Sequence, residues 1–168
     1  MRLLFLVLFA SSLAHAQAVL VDRVVASVQT RAITRSMVDV RVKQGIKDRT
    51  EARDMLIEET LISLDATKLG LTVSPEEVDR ALEEIAKTNK LSQEELLKAL
   101  NEQGYELPSY REALKQQLLA MRWVMRRAAS ENMPSEPMER ATFMEAARKR
   151  YLETLRKENA VVVREVQP

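Results

Sequence analysis

The sequence predicts a mainly α-helical fold with a small β-sheet formed by an N-terminal hairpin and a C-terminal strand. Three observations lead there. Ser74-Pro75-Glu76-Glu77 and Ser92-Gln93-Glu94-Glu95 each set a serine three residues before a glutamate at the head of an apolar-periodic stretch, the pattern of a capping box. Through the middle of the chain, apolar residues recur at helical steps of three and four. Both ends instead carry β-branched runs without a helical period, VDRVVASV at 21–28 and AVVVREV at 160–166.

Gln29-Thr30 separates the first run from Arg31-Ala32-Ile33, so the two read as a hairpin, although Gln-Thr is a poor two-residue turn beside Asn-Gly. Ser36 with Asp39 resembles a further capping box, opening a short helix that ends near Gly45. Residues 50–69 form a longer helix, apolar over more than half its circumference through Met55, Leu56, Ile57, Leu61, Ile62 and Leu69. It should be the most buried helix of the fold. Gly70 fits the position just past its end, where a positive φ favours glycine.

Ser74 and Pro75 open the next helix, with Val78, Leu82, Ile85 and Ala86 inward. Ser92 opens another, with Leu96, Leu97 and Leu100 inward and Gly104 as its stop. Pro108 begins a long helix whose stripe of Leu114, Leu118, Met121, Met125 and Ala128 suits packing along a neighbour. After a Pro- and Ser-rich break, Met138 to Lys157 is helical through Ala141, Met144, Ala147, Tyr151 and Leu155. A lone hairpin is marginal in water, so the C-terminal run is expected to add a third strand and cover the hairpin's edge.

The first residues, MRLLFLVLFASSLAHAQ, have the form of a secretory leader: a basic start, an apolar run and the small-x-small motif Ala14-His15-Ala16. The run of about 11 residues falls short of the ~20 that a membrane-spanning helix needs. Cleavage between Ala16 and Gln17 is expected. It would export residues 17–168 to the periplasm with no transmembrane anchor.

Composition then excludes several classes of function. The chain has no cysteine, and its one histidine, His15, lies in the leader. Catalytic triads, thiol chemistry and most zinc sites therefore lack their residues. With 26 basic against 25 acidic side chains, no excess charge points to nucleic acid. Glu76-Glu77 and Glu83-Glu84 are helix neighbours pointing about 100° apart, suited to capping and solubility rather than acid–base catalysis. No alternating run of acids around a glycine exists for calcium. No catalytic residue, metal site or cofactor is expected.

The stretches VDRVVASVQTRAITRSMVD, LIEETLISLDATKLGLTVSPEEVDRALEEIAK, LSQEELLKAL and YREALKQQLLAMR together resemble the SurA-type periplasmic chaperones over roughly residues 21–127. The resemblance implies a multi-helix chaperone module in which an N-terminal segment and a C-terminal helix plus strand combine. It implies ATP-independent shielding of unfolded outer-membrane or secreted polypeptides, with the outer-membrane assembly machinery as a further partner. In that family a parvulin prolyl isomerase domain is inserted between the two segments. Here the break holds nothing of the kind, so a non-enzymatic module is expected. Its parts are a signal peptide at 1–16, a chaperone segment at 17–130, a linker at 131–137 and a completing helix and strand at 138–168. The alternative reading is a non-catalytic helical adaptor, or envelope-assembly factor, with one dedicated folded partner.

Methionines carry the candidate client-binding surface, because flexible thioethers adapt to varied apolar partners. The candidates are Met37, Leu118, Met121, Trp123, Met125, Met133, Met138, Phe143 and Met144. For any one methionine, ordinary core filling is the competing reading. Trp123 lies off the Leu114–Met125 stripe, and its size favours a second packing face over a client surface. The acids of residues 76–95 and the cations of 111–127 and 148–157 read as solvated faces, or alternatively as a basic surface that steers acidic clients.

Overall fold

The computed structural model describes residues 22–164. Among these, two strands, β1 (Val24–Val28) and β2 (Arg31–Thr34), lead into six helices. These are α1 (Arg35–Lys43), α2 (Arg49–Lys68), α3 (Pro75–Thr88), α4 (Gln93–Glu102), α5 (Leu107–Arg127) and α6 (Pro137–Glu158); a last strand, β3 (Val161–Val163), follows. The leader and its cleavage point, Ala16 and Gln17, lie outside the described residues. Among the described residues, no helix is long and apolar enough to cross a membrane.

The sheet order is β2-β1-β3, so the strand nearest the C-terminus pairs with the first strand of the chain. The hairpin is antiparallel with Val28 opposite Arg31, and Gln29 supplies the turn by adopting a φ of +53°. β3 runs antiparallel to β1, Val161 opposite Val28 and Val163 opposite Ala26. The Gln29 amide donates to the Ala160 carbonyl and the Arg164 amide to the Val25 carbonyl, closing the ladder at both ends. The expected third strand is thus present, and it covers one edge of the hairpin.

The capping boxes at Ser74 and Ser92 form as the spacing requires. Each serine hydroxyl accepts from the backbone amide three residues on, and Glu77 or Glu95 accepts from the serine's own amide. Each box satisfies two otherwise orphaned helix donors, worth about 1 kcal/mol. Gly70 follows α2 with a φ of +67°, and the amide of Leu71 reaches back to the Ala66 carbonyl. The expected box at Ser36 and Asp39 does not form. Thr34 is the N-cap of α1 without a capping bond from its side chain, and Asp22, ahead of β1, accepts from the Ser36 amide at 3.1 Å. Asp39 instead forms an ion pair with Arg49. A carboxylate from outside the helix has replaced the local cap, a substitution that i, i+3 spacing cannot reveal.

Two apolar clusters divide the interior. The larger joins Val25, Val28 and Ile33 of the sheet to Val38, the inward face of α2, Trp123 and Val124 of α5, and Ala147, Leu152 and Leu155 of α6. The smaller joins Val73, Val78, Leu82, Ala86, Leu96, Leu100 and Leu114. Helix α5 belongs to both, its first half on α3 and α4 and its second half on α2 and α6. This explains a departure from the expected stripe. Leu114 is buried, but Met121 and Met125 are 55% and 51% exposed while Trp123 and Val124 turn inward. A helix that changes partners midway changes its buried face midway.

The charged residues follow the same architecture. Arg122 of α5 donates to Glu77 at the head of α3 at 2.5 Å, and Arg111 pairs with Asp79 two residues further along α3. Arg148 and Arg156 of α6 both reach Glu58 of α2, at 3.0 and 3.4 Å. Two acids of α3 and several arginines of α5 and α6 are therefore paired within the fold. The arginines read as a possible client-steering surface serve largely as ties between helices.

The bond from Arg122, with help from the Ser74 amide, holds the Glu77 carboxyl at about 2, against an ordinary value of 4.5. A carboxyl with a depressed value stabilises the fold above its unfolded value, and that stabilisation disappears as pH falls through the folded value. Between about pH 4.5 and about 2, thermal melts should show the stability advantage of the natural chain over Glu77→Gln shrinking steadily. An advantage that stays constant across this window would contradict the pairing.

Candidate functional site

Helices α2, α5 and α6 do not close completely on one another. Met55, Glu59 and Ile62 of α2 face Ala113, Gln116, Gln117, Ala120, Met121 and Val124 of α5, with Ala141, Met144, Glu145 and Arg148 of α6 on the third side and Arg41 of α1 at the edge. The α5 residues fall at alternating steps of three and one, so they form one continuous helix face. The groove has a volume of about 490 Å³. It continues into a second recess of about 480 Å³ lined by Met121, Met125, Met133, Pro137, Arg140, Ala141 and Met144. Met121, Ala141 and Met144 border both, so the two make one channel-like surface.

The helices that wall it are tied to one another by a polar network around a buried carboxylate. Asp65 of α2 is 4% exposed and accepts from the Trp123 indole N–H at 2.6 Å. It also accepts from Arg127 in a two-pronged arrangement, at 2.8 Å from Nε and 2.6 Å from Nη2. The carbonyl of Arg127 in turn accepts from the Tyr151 hydroxyl of α6 at 2.9 Å, and the Tyr151 ring meets Trp123 edge to face at 6.3 Å. Glu131, in the break after α5, accepts from Tyr151 and, at 2.6 Å, from Arg150. These bonds hold the Glu131 carboxyl below its ordinary value, the Tyr151 hydroxyl contributing most. One chain of contacts therefore fixes α2, α5, the break and α6 relative to one another.

Of the nine candidate client-binding residues, the fold brings Met121, Met125, Met133 and Met144 together around the groove. Met37 is exposed on α1 and Met138, at 81%, is the most exposed large apolar residue among those described; neither lines it. Leu118 packs against the smaller cluster and Phe143 against the larger. Trp123 requires correction as a surface candidate: it is fully buried, and its one polar atom is taken by Asp65. Met55 was missed. It lies on the outer side of α2 with Glu59 one turn further on, and in a helix apolar almost all round nothing in the sequence distinguished it from a core residue. Asp65 was missed too, because a single acid amid apolar residues carries no periodic signal.

The break between α5 and α6 spans nine residues, 128–136. Arg140 donates to the carbonyls of Pro134 and Ser135, folding this segment back onto the start of α6. An inserted domain has no place within it.

Comparisons with known proteins agree with this architecture. Residues 49–126 match the SurA N-terminal domain family. Chaperone SurA of Saccharophagus degradans is 29% identical over 153 residues, covering 82% of this chain and 35% of that protein. Chaperone SurA of Ralstonia nicotianae is 34% identical over 129 residues, covering 67% of this chain and 25% of that protein. The chain thus spans about a quarter to a third of the length of these curated relatives. In fold it is similar to a chain from the structures of PEB4 and Cj1289, SurA-like chaperones of Campylobacter jejuni. That alignment has a TM-score of 0.55 and 18% identity, and covers 88% of this chain and 69% of the other. Over the stretch that α2 to α5 compose, this chain is similar to the SurA N-terminal domain family.

Proposed function

We propose that this chain is an ATP-independent periplasmic holdase that shields unfolded outer-membrane or secreted polypeptides in the groove between α2, α5 and α6. The observation that carries the proposal is the groove's composition. Five methionines from four parts of the chain, Met55 of α2, Met121 and Met125 of α5, Met133 of the break and Met144 of α6, converge on an open apolar surface whose rim charges are paired, Arg41 with Glu59 at 2.6 Å and Arg148 with Glu58 at 3.0 Å. Such a surface accepts apolar side chains of varied shape without demanding a sequence. The names of the curated relatives support the same class of activity.

The expected strength is modest. Covering about 200 Å² of apolar surface contributes about 5 kcal/mol before ordering costs. That corresponds to a dissociation constant no tighter than about 0.2 mM per contact. Weak contacts repeated along one client give capture with fast release, which suits a carrier that uses no nucleotide. No catalytic step is assigned, since nothing after His15 supplies a histidine or cysteine.

The test is light scattering of an urea-unfolded outer-membrane porin diluted into buffer. A molar excess of residues 17–168 should suppress aggregation. Equal scattering with and without the protein would remove the proposal, and recovery of one stoichiometric folded partner from periplasm would favour the adaptor role.

A further inference from the structure

We propose that the methionines of the second recess form a thioether site for a soft monovalent metal ion, of the Cu(I) class. Met121 and Met125 lie one turn apart on the same face of α5, Met133 comes from the break, and Met144 faces them from α6; all four line a single recess of about 480 Å³. Met121 and Met125 are more than half exposed, so their sulfur atoms are not committed to the core. Each side chain has three rotatable bonds, and residues one helical turn apart have Cβ atoms ~6 Å from each other, a span that flexible thioethers can bridge onto one ion.

The donor set selects the metal. Among the described residues no group of three or more histidines, cysteines or carboxylates is placed to hold a metal ion, so the borderline and hard divalent cations find no site. Thioether sulfur is soft and uncharged, and it suits Cu(I) while binding Zn(II), Mg(II) or Ca(II) poorly. The one charged residue on the wall, Arg140, donates to the Pro134 and Ser135 carbonyls, which engages its guanidinium with the break. A bound ion would join α5, the break and α6 across the open side of the recess, and so compete with an apolar client for the same surface.

The experiment is a competition titration under anaerobic, reducing conditions, in which residues 17–168 withdraw Cu(I) from bicinchoninate. Uptake of one equivalent is expected. Met125→Leu/Met133→Leu, which keeps volume and apolarity while removing two sulfurs, should bind at least about tenfold more weakly. Met37→Leu, outside the recess, should bind like the natural chain. No withdrawal of copper, or equal binding by the double variant, would overturn the proposal. Suppression of porin aggregation is measured separately on the metal-free natural chain, so a failure of holding and a failure of copper binding are told apart.

Discussion

Replacing Asp65 with alanine is expected to cost about 3 kcal/mol or more, a large part of the roughly 5–15 kcal/mol by which a domain is stable. The argument runs through what is left behind. The Arg127 guanidinium loses both of its bonds to the carboxylate, and the Trp123 indole N–H, in a fully buried ring, loses its acceptor. An orphaned buried donor costs about 1–3 kcal/mol by itself. Arg127 retains a third of its side-chain exposure, so water recovers part of its charge and the total stays near the lower end of the range for a broken buried pair. Because Trp123 is the chain's only tryptophan, its fluorescence in a urea titration reports directly on this site. Adding Arg127→Leu to Asp65→Leu should recover part of the loss, since two apolar partners leave no unpaired charge. A loss below about 0.5 kcal/mol for Asp65→Ala would mean that the network is incidental to the fold.

What the sequence revealed and what it concealed divide along physical lines. The capping boxes at Ser74 and Ser92 were legible because both partners sit within one turn, where local spacing fixes geometry. The third strand was legible because Val161–Val163 is too β-branched and too unpatterned for the helix before it to continue. Ser36 misled because its partner, Asp22, comes from fourteen residues earlier, and the box with Asp39 existed only as a spacing. Along α5 the expected stripe failed at Met121 for a tertiary reason: the buried face is set by whichever neighbour is present, and α5 has different neighbours at its two ends. The candidate site was half legible. Methionine content pointed to Met121, Met125, Met133 and Met144, but only the packing of α2 and α6 separates them from Met37 and Met138.

The same packing gives the break its structural role. Tyr151 and Arg150 of α6 both hold Glu131, and Tyr151 holds the last carbonyl of α5, so nine residues suffice to turn the chain and dock α6 against α2. Ala147, Leu152 and Leu155 then complete the core begun by the N-terminal strands, and β3 closes the sheet. Among the described residues, the segments before and after the break share one core, and the groove is the seam where they meet.

Loss of holding on charging that seam is the second large effect expected. Met121→Glu/Met125→Glu places two carboxylates at positions more than half exposed, so melting behaviour should stay within about 0.5 kcal/mol of the natural chain. Any apolar client segment entering the groove would then have to desolvate charge, which costs several kcal/mol and exceeds the whole expected contact energy. The decisive measurement compares this variant with Met37→Glu/Met138→Glu, equally charged but outside the groove, in suppressing aggregation of an unfolded porin. The groove account requires the first to lose suppression almost entirely and the second to match the natural chain. Equal suppression by both variants, or equal loss in both, would contradict it.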